Sequence, residues 1–283
     1  LEKCEPDQFL KTSFYRGDFE TYHFRGMQHF DPWLNDLLQR IGKHRAASIE
    51  ILVQSPIEAE CEVGYDGFCV NGQYPDNSMC GYEIKDQGFV GKVFKKTPEI
   101  IANVNNAFAP LFKHLGYQGH YSTELRITKA GDPFYIDATC RAPSPPAEVM
   151  TEMYANYSES IWEISGGNLP DLKPKAKYAA EIILSSPWHE NHELCVEFPK
   201  DLEKHIKLKN HKRTGDHYTC LPNQNAGTFG AVVAIGDSVK EVTGKVMDIV
   251  KEIKADDLEI HEETFDKAEE QVKSGEKYGI HFD

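Results

Sequence analysis

The sequence predicts an α+β fold, in which strands and helices follow one another without a strict strand–helix repeat. Helical spacing is plain at Leu34, Leu37, Leu38 and Ile41, and again at Ile101, Val104, Phe108, Leu111 and Leu115. Strand-like runs also stand side by side with no helix between them, as at 48–54 (SIEILVQ) and 60–70 (ECEVGYDGFCV). A further pair of runs, within 116–146, folds back through the turn Lys129-Ala130-Gly131-Asp132-Pro133.

Taken in order, residues 8–13 (QFLKTS) read as a strand carrying Lys11, and the polar segment FYRGDFET after it carries Arg16. The first helix is expected to start with Asp31 as N-cap and Pro32 at N1. After the two adjacent strands, 72–93 reads as an irregular, glycine-rich stretch. The second helix starts at Thr97-Pro98 and stops at Gly116, a suitable C′ residue. The hairpin follows, then a helix from about 146 to 165 that ends at Gly166-Gly167. Residues 168–177 (NLPDLKPKAK) read as a linker, followed by a strand at 178–185, further short strands and an apolar strand at 229–235. A helix N-capped by Asp237 then buries Val239, Val242, Val246, Ile249, Val250 and Ile253. The last twenty residues read as a charged surface helix with a frayed end. The expected domains are therefore 1–70, 71–167 and 168–283.

Composition narrows the function classes. A net charge of −14 argues against an extended nucleic-acid surface, which needs a basic stripe. No apolar run approaches the roughly 20 residues of a membrane span, so no membrane partner is expected. The 7 cysteines form no CxxC pair and their odd number fits no closed disulfide framework. Reduced thiols and a cytoplasmic setting follow. The chain opens on Leu1 and enters a strand almost at once, so a further N-terminal domain is expected upstream.

The residues that carry chemistry are mostly acids and bases on strands. Glu124 and Asp137 stand 13 positions apart on the two arms of the hairpin, where they can share one face. Paired acids suit a hard divalent cation, since Mg²⁺ takes one or two carboxylates plus phosphate oxygens. A surface pair is the other reading of the same spacing. Thr139 and Arg141 continue the period of two on that face, and Arg141 stands beside Pro143, Pro145 and Pro146 as an anion clamp or a surface ion-pair partner. Lys11 and Arg16 can reach phosphates from a strand and the loop after it. Gln54, Glu60 and Glu62 bracket a strand junction that can meet an adenine edge and ribose hydroxyls. His189 and His192 in HENHE stand three apart rather than the four of a zinc helix, and read as a surface loop.

These pieces in this order resemble the ATP-grasp superfamily, and within it the phosphoribosylamine–glycine ligase family. The resemblance rests on Gly116-Tyr117-Gln118-Gly119, Tyr121, Thr128, Gly131, Asp137, Thr139, Arg141 and Pro145. Lys11 falls at the family's phosphate-binding lysine, and Gln54 to Glu62 at its adenine and ribose linker. The resemblance implies two α+β subdomains enclosing a nucleotide, followed by a small C-terminal α/β domain. It further implies ATP and Mg²⁺ (or Mn²⁺) as cofactors, and small-molecule carboxylate and amine substrates, with glycine and phosphoribosylamine as the leading pair. Lys11 and Arg16 would hold phosphates; Gln54, Glu60 and Glu62 would hold the nucleoside; Glu124, Asp137 and Thr139 would hold the metal; Arg141 would stabilise the transferred phosphoryl group. The chain departs from the family pattern at Asp137, where a Glu is usual, at Thr139, where an Asn is usual, and in YRGDFET, where glycines are usual. Those departures leave a nucleotide-binding protein without turnover as the rival reading.

Overall fold

The computed structural model describes residues 4–13, 21–222 and 227–282, apart from the side chain of Lys43. Arg16 and most of the polar segment around it lie outside the described residues. The chain forms two compact units, Leu1–Glu58 and Ala59–Asp283.

In the first unit a three-stranded antiparallel sheet is ordered β2-β1-β3, with β1 at Phe9–Thr12, β2 at Thr21–His23 and β3 at Ile51–Gln54. Its apolar face holds Leu10, Tyr22 and Ile51 against helix α1 (Met27–Ala46). The helix begins before the expected Asp31–Pro32 start, so Pro32 lies inside it. The aromatic cluster explains the extra turn: Phe30 meets Phe24 edge-on, and Trp33 stacks on Tyr22 at 4.7 Å. Gly42, at φ 76°, interrupts the helix near its end.

The second unit is built on an eight-stranded antiparallel sheet ordered β11-β14-β9-β6-β5-β4-β7-β8. In chain order its strands are β4 (Ala59–Val70), β5 (Ser78–Ile84), β6 (Gly88–Phe94), β7 (Gln118–Thr128), β8 (Pro133–Thr139), β9 (Tyr178–Ser185), β11 (Ile206–Leu208) and β14 (Thr228–Gly236). A smaller sheet, ordered β12-β13-β10-β15, joins β10 (Leu194–Glu197), β12 (His211–Thr214), β13 (His217–Cys220) and β15 (Lys254–Ala255). One face of the large sheet carries Val63, Tyr65, Tyr82, Leu125, Ile127 and Ile182 into the main core. Helices α2 (Glu99–Leu115), α5 (Val239–Val250) and α6 (Thr264–Glu276) pack on strands of this sheet. On the other face Phe68, Met79, Phe89 and Val233 pack under α3 (Ala147–Met153) and α4 (Tyr157–Ser165).

This arrangement redraws the expected boundaries. Strand β4 pairs with β5 and β7, so the chain divides before it rather than after Val70. No boundary falls at 168–177, because β9 pairs with β6 and continues the same sheet, while Leu172 is buried. The glycine-rich stretch 72–93 is not irregular: most of it is the hairpin β5–β6, turning at Asp86 with φ 59°. Its glycines make room for a ring, since a Cβ at Gly81 or Gly91 would strike Phe89. The single helix expected over 146–165 breaks at Tyr154, which bridges to Pro174 and donates its hydroxyl to the Asn77 carbonyl at 3.0 Å. Helix α5 is capped by Ser238 rather than Asp237: Ser238 Oγ accepts from the Glu241 amide, and Glu241 accepts from the Asp237 amide. The C-terminal segment is anchored rather than frayed, with Ile280 and Phe282 buried against Tyr82 and Phe94.

Candidate functional site

The hairpin brings the two acids together. Glu124 on β7 lies directly opposite Asp137 on β8, and Ser122 lies opposite Thr139. Alternation along β7 sends Tyr121, Thr123, Leu125 and Ile127 into the core, leaving Ser122, Glu124 and Arg126 half-buried on the other face. A bulge secures the pairing: Leu125 faces Tyr135 while Glu124 faces Asp137, so Ile136 is the additional residue. Without it, Glu124 would face Ile136 and Asp137 would turn toward the core. Asp137 is exposed, Thr139 is half-buried, and the exposed Arg141 donates from Nη1 to the Ala142 carbonyl at 2.8 Å.

On the adjacent strand β4, Glu62 faces Arg126, Gly64 faces Glu124 and Asp66 faces Ser122. A side chain at Gly64 would press its Cβ to 2.8 Å from the Thr123 carbonyl, so the strand is bare beside Glu124. Arg126 Nε donates to Glu62 Oε2 at 2.8 Å, and the Ser122 hydroxyl donates to Asp66 Oδ1 at 2.8 Å. Burial raises the Glu124 carboxyl well above the usual range, helped by its hydrogen bond with Glu62 and the negative charges of Glu62 and Glu83. Burial also acts upward on Glu62, but the hydrogen bond from Glu124 and the Arg126 charge outweigh it and hold Glu62 low. The two carboxyls are therefore pushed in opposite directions, with protonation favoured on Glu124 and ionisation on Glu62. Burial pushes Asp66 up to about 7, against the Ser122 hydrogen bond.

Among the described residues no three His, Cys, Asp or Glu side chains converge as a metal cage. Two facing acids with a threonine hydroxyl nearby suit a cation that completes its shell with phosphate and water. A proton held where a cation would neutralise the same charge is a further fit to that group.

The other expected residues are distributed as follows. Lys11 and Gln54 belong to the first unit and lie on one face of its sheet, because Phe9 pairs with Gln54 and Lys11 with Leu52. That face is the one turned from the Leu10 cluster, and Leu52 is 57% exposed on it. Glu60 and Glu62 do not act as a pair along β4. Glu60 is the additional residue of a bulge, where it accepts from Tyr278 at 2.8 Å and Lys277 at 3.3 Å. His189 is buried, and His192 stacks on Trp188 at 4.1 Å, so neither forms a metal motif. Arg126, Ser122 and Asp66 were not singled out from sequence, although the period of two places Ser122 and Arg126 beside Glu124.

No helix among the described residues is long and apolar enough to cross a membrane. No protein-family model matches the chain, and no curated protein is similar to it in sequence. Solved structures are similar. Phosphoribosylamine–glycine ligase from Thermotoga maritima matches with a TM-score of 0.63 at 13% identity, over 91% of this chain and 68% of that one. The biotin carboxylase domain of Hydrogenobacter thermophilus 2-oxoglutarate carboxylase, solved with MgADP, ADP and bicarbonate, matches with a TM-score of 0.65 at 12% identity, over 100% of this chain and 66% of that one. L-amino acid ligase from Bacillus licheniformis matches with a TM-score of 0.55 at 13% identity, over 89% of this chain and 65% of that one. The chain thus spans about two thirds of the length of each of these proteins. With the carboxylate hairpin in a large antiparallel sheet, and with these enzymes as its structural neighbours, the chain has the ATP-grasp fold.

Proposed function

We propose that this chain is an ATP- and Mg²⁺-dependent carboxylate–amine ligase that works through an acylphosphate. The observation that carries the reading is the direct pairing of Glu124 with Asp137, with Thr139 and Arg141 following on the same strand and its exit. The likeness to a phosphoribosylamine–glycine ligase and an L-amino acid ligase supports it. Glycine and phosphoribosylamine are the first substrates to try.

Glu124, Asp137 and Thr139 would hold Mg²⁺, or Mn²⁺ in its place, which neutralises phosphate charge when bound. Lys11 and Arg16 would hold phosphate oxygens, and Gln54 would meet the adenine. Glu62, beside Glu124 and paired with Arg126, and Glu60, engaged by Lys277 and Tyr278, would meet the ribose hydroxyls. In the first half-reaction a carboxylate oxygen of the substrate attacks the γ-phosphorus and ADP leaves. Arg141 balances the charge on the transferring phosphoryl group. In the second, the amine attacks the acyl carbon, the C–N bond forms, phosphate leaves and the surplus proton passes to solvent. A second reading, nucleotide binding without turnover, is favoured by Thr139, whose hydroxyl is a weaker cation ligand than an amide carbonyl.

Calorimetry with Mg·ATP, followed by ADP release with glycine and phosphoribosylamine and then with other acid–amine pairs, tests both readings. Absence of Mg·ATP binding overturns the ligase reading. Binding without ADP release across the panel favours the second.

A further inference from the structure

The large sheet holds a second pair of carboxyl groups, separate from the candidate site. Glu181 stands in the middle of the otherwise apolar strand β9, fully buried. Its cross-strand neighbours are Phe89 on β6 and Val233 on β14, neither of which titrates. The group that acts on it comes from the first turn of α3, which packs on β9 and β14: the Glu148 carboxyl is near enough that its charge disfavours ionisation of Glu181. Both oxygens of Glu181 and Oε2 of Glu148 are buried and have no hydrogen-bond partner among the described residues. Two acceptors cannot hydrogen-bond each other without a proton between them. The other oxygen of Glu148 accepts from Ser144 Oγ at 2.7 Å and lies 3.6 Å from Lys209 Nζ, which is itself 3.3 Å from Ser144 Oγ.

We propose that Glu181 keeps a buried proton beside the Glu148 carboxyl, and that this pair is a pH-sensitive latch on segment 141–146, which carries Arg141. While the proton is held, Glu148 anchors Ser144 and Lys209 and so fixes the segment leading into α3. When the proton is lost at alkaline pH, two adjacent buried charges repel and the segment loosens. The remaining charged neighbours do not supply a substitute cation. Lys207 and Lys175 are engaged by Glu152 on α3, at 2.6 and 3.8 Å, with His205 close to that cluster. Tyr157 on α4 faces Glu148 and donates no charge. Burial and the Glu148 charge hold the Glu181 proton well above the usual range, against the opposing charge of Lys209.

The test needs no substrate. The infrared difference spectrum of the whole chain, wild type minus Glu181→Gln, should show at about pH 8 the C=O stretch of one protonated carboxyl group, over and above that of Glu124, which both proteins keep. Denaturant unfolding across pH should show the wild-type unfolding constant rising relative to Glu181→Gln by about tenfold per pH unit, from roughly pH 5 until the pair ionises. Amide exchange over 141–150, corrected for its intrinsic pH dependence, should accelerate above that point in the wild type alone. A difference spectrum without the band, or parallel pH curves for the two proteins, overturns the buried proton on Glu181. Equal exchange overturns the latch. Should Glu181→Gln not fold, the wild-type titration and Glu148→Gln, which gives Glu181 an amide donor and should weaken the pH dependence, decide the matter.

Discussion

Two pairs of carboxyl groups lie on one face of the same sheet and are treated oppositely. Glu62 and Glu124 sit half-buried on β4 and β7, with Arg126 beside them and Asp137 facing them from an edge strand. Glu181 and Glu148 sit under α3 with Lys209 as the nearest cation and no arginine. The first pair is open to an incoming charge; the second is sealed. Burial and a neighbouring carboxyl raise one acid in each pair, Glu124 and Glu181, but only the first lies where an incoming cation could compete with the proton.

The largest effect should come from the open pair. Asp137→Asn is expected to abolish metal-dependent ADP release while leaving the melting temperature unchanged, since the side chain is exposed. Unchanged turnover would remove the metal assignment. Next in size is proton release. On the proposed metal role, Mg²⁺ would compete with the proton on Glu124, so affinity should rise by up to about tenfold per pH unit as pH climbs toward the raised Glu124 titration, then level off. Calorimetry in buffers of different ionisation enthalpy measures that proton directly, and a buffer-independent heat would break the contrast with the sealed pair.

Asp66 lies between these extremes. Its carboxyl is raised from 3.8 to about 7, so its contribution to stability is intact below pH 3.8 and is lost as pH rises toward 7. Asp66→Asn should flatten the stability profile in that window, and denaturant midpoints measured across it would show otherwise if Asp66 is ionised throughout. The smallest effect should be Arg126→Ala, which breaks a partly exposed ion pair with Glu62 and should cost about 1 kcal/mol in denaturant unfolding.

The candidate site was legible where it depended on local alternation. Glu124, Asp137 and Thr139 could be placed on one hairpin from spacing and a turn sequence alone, whereas Arg141, expected to continue the strand, falls beyond its end at Thr139. What was illegible depended on strands far apart in sequence. The Glu62–Arg126 contact joins residues 64 positions apart, and no periodicity announces which strand will lie beside which. Glycines misled in a second way. Gly81, Gly88 and Gly91 look like loop residues, yet Gly81 and Gly91 sit in strands because Phe89 fills the space their side chains would take, and Gly88 lies too close to the Glu181 carbonyl for a Cβ. The bulge that removed Glu60 from the face of Glu62 left no mark that could be read in advance. The lone acid in the apolar run YAAEIILS was not singled out, because what gives it meaning is its burial beside Glu148 on a helix.

The bulge at Ile136 has a consequence for insertions and deletions. It places an odd residue between the turn of the hairpin and the acid that faces Glu124. Loss of Ile136 would straighten the strand and keep Asp137 in phase, so a gap there is silent for the two acids. Loss of Ala138 would instead rotate Thr139, the last residue of the strand, to the opposite face. Alignments of distant relatives should therefore be free to open a gap before Asp137, but not between Asp137 and Thr139.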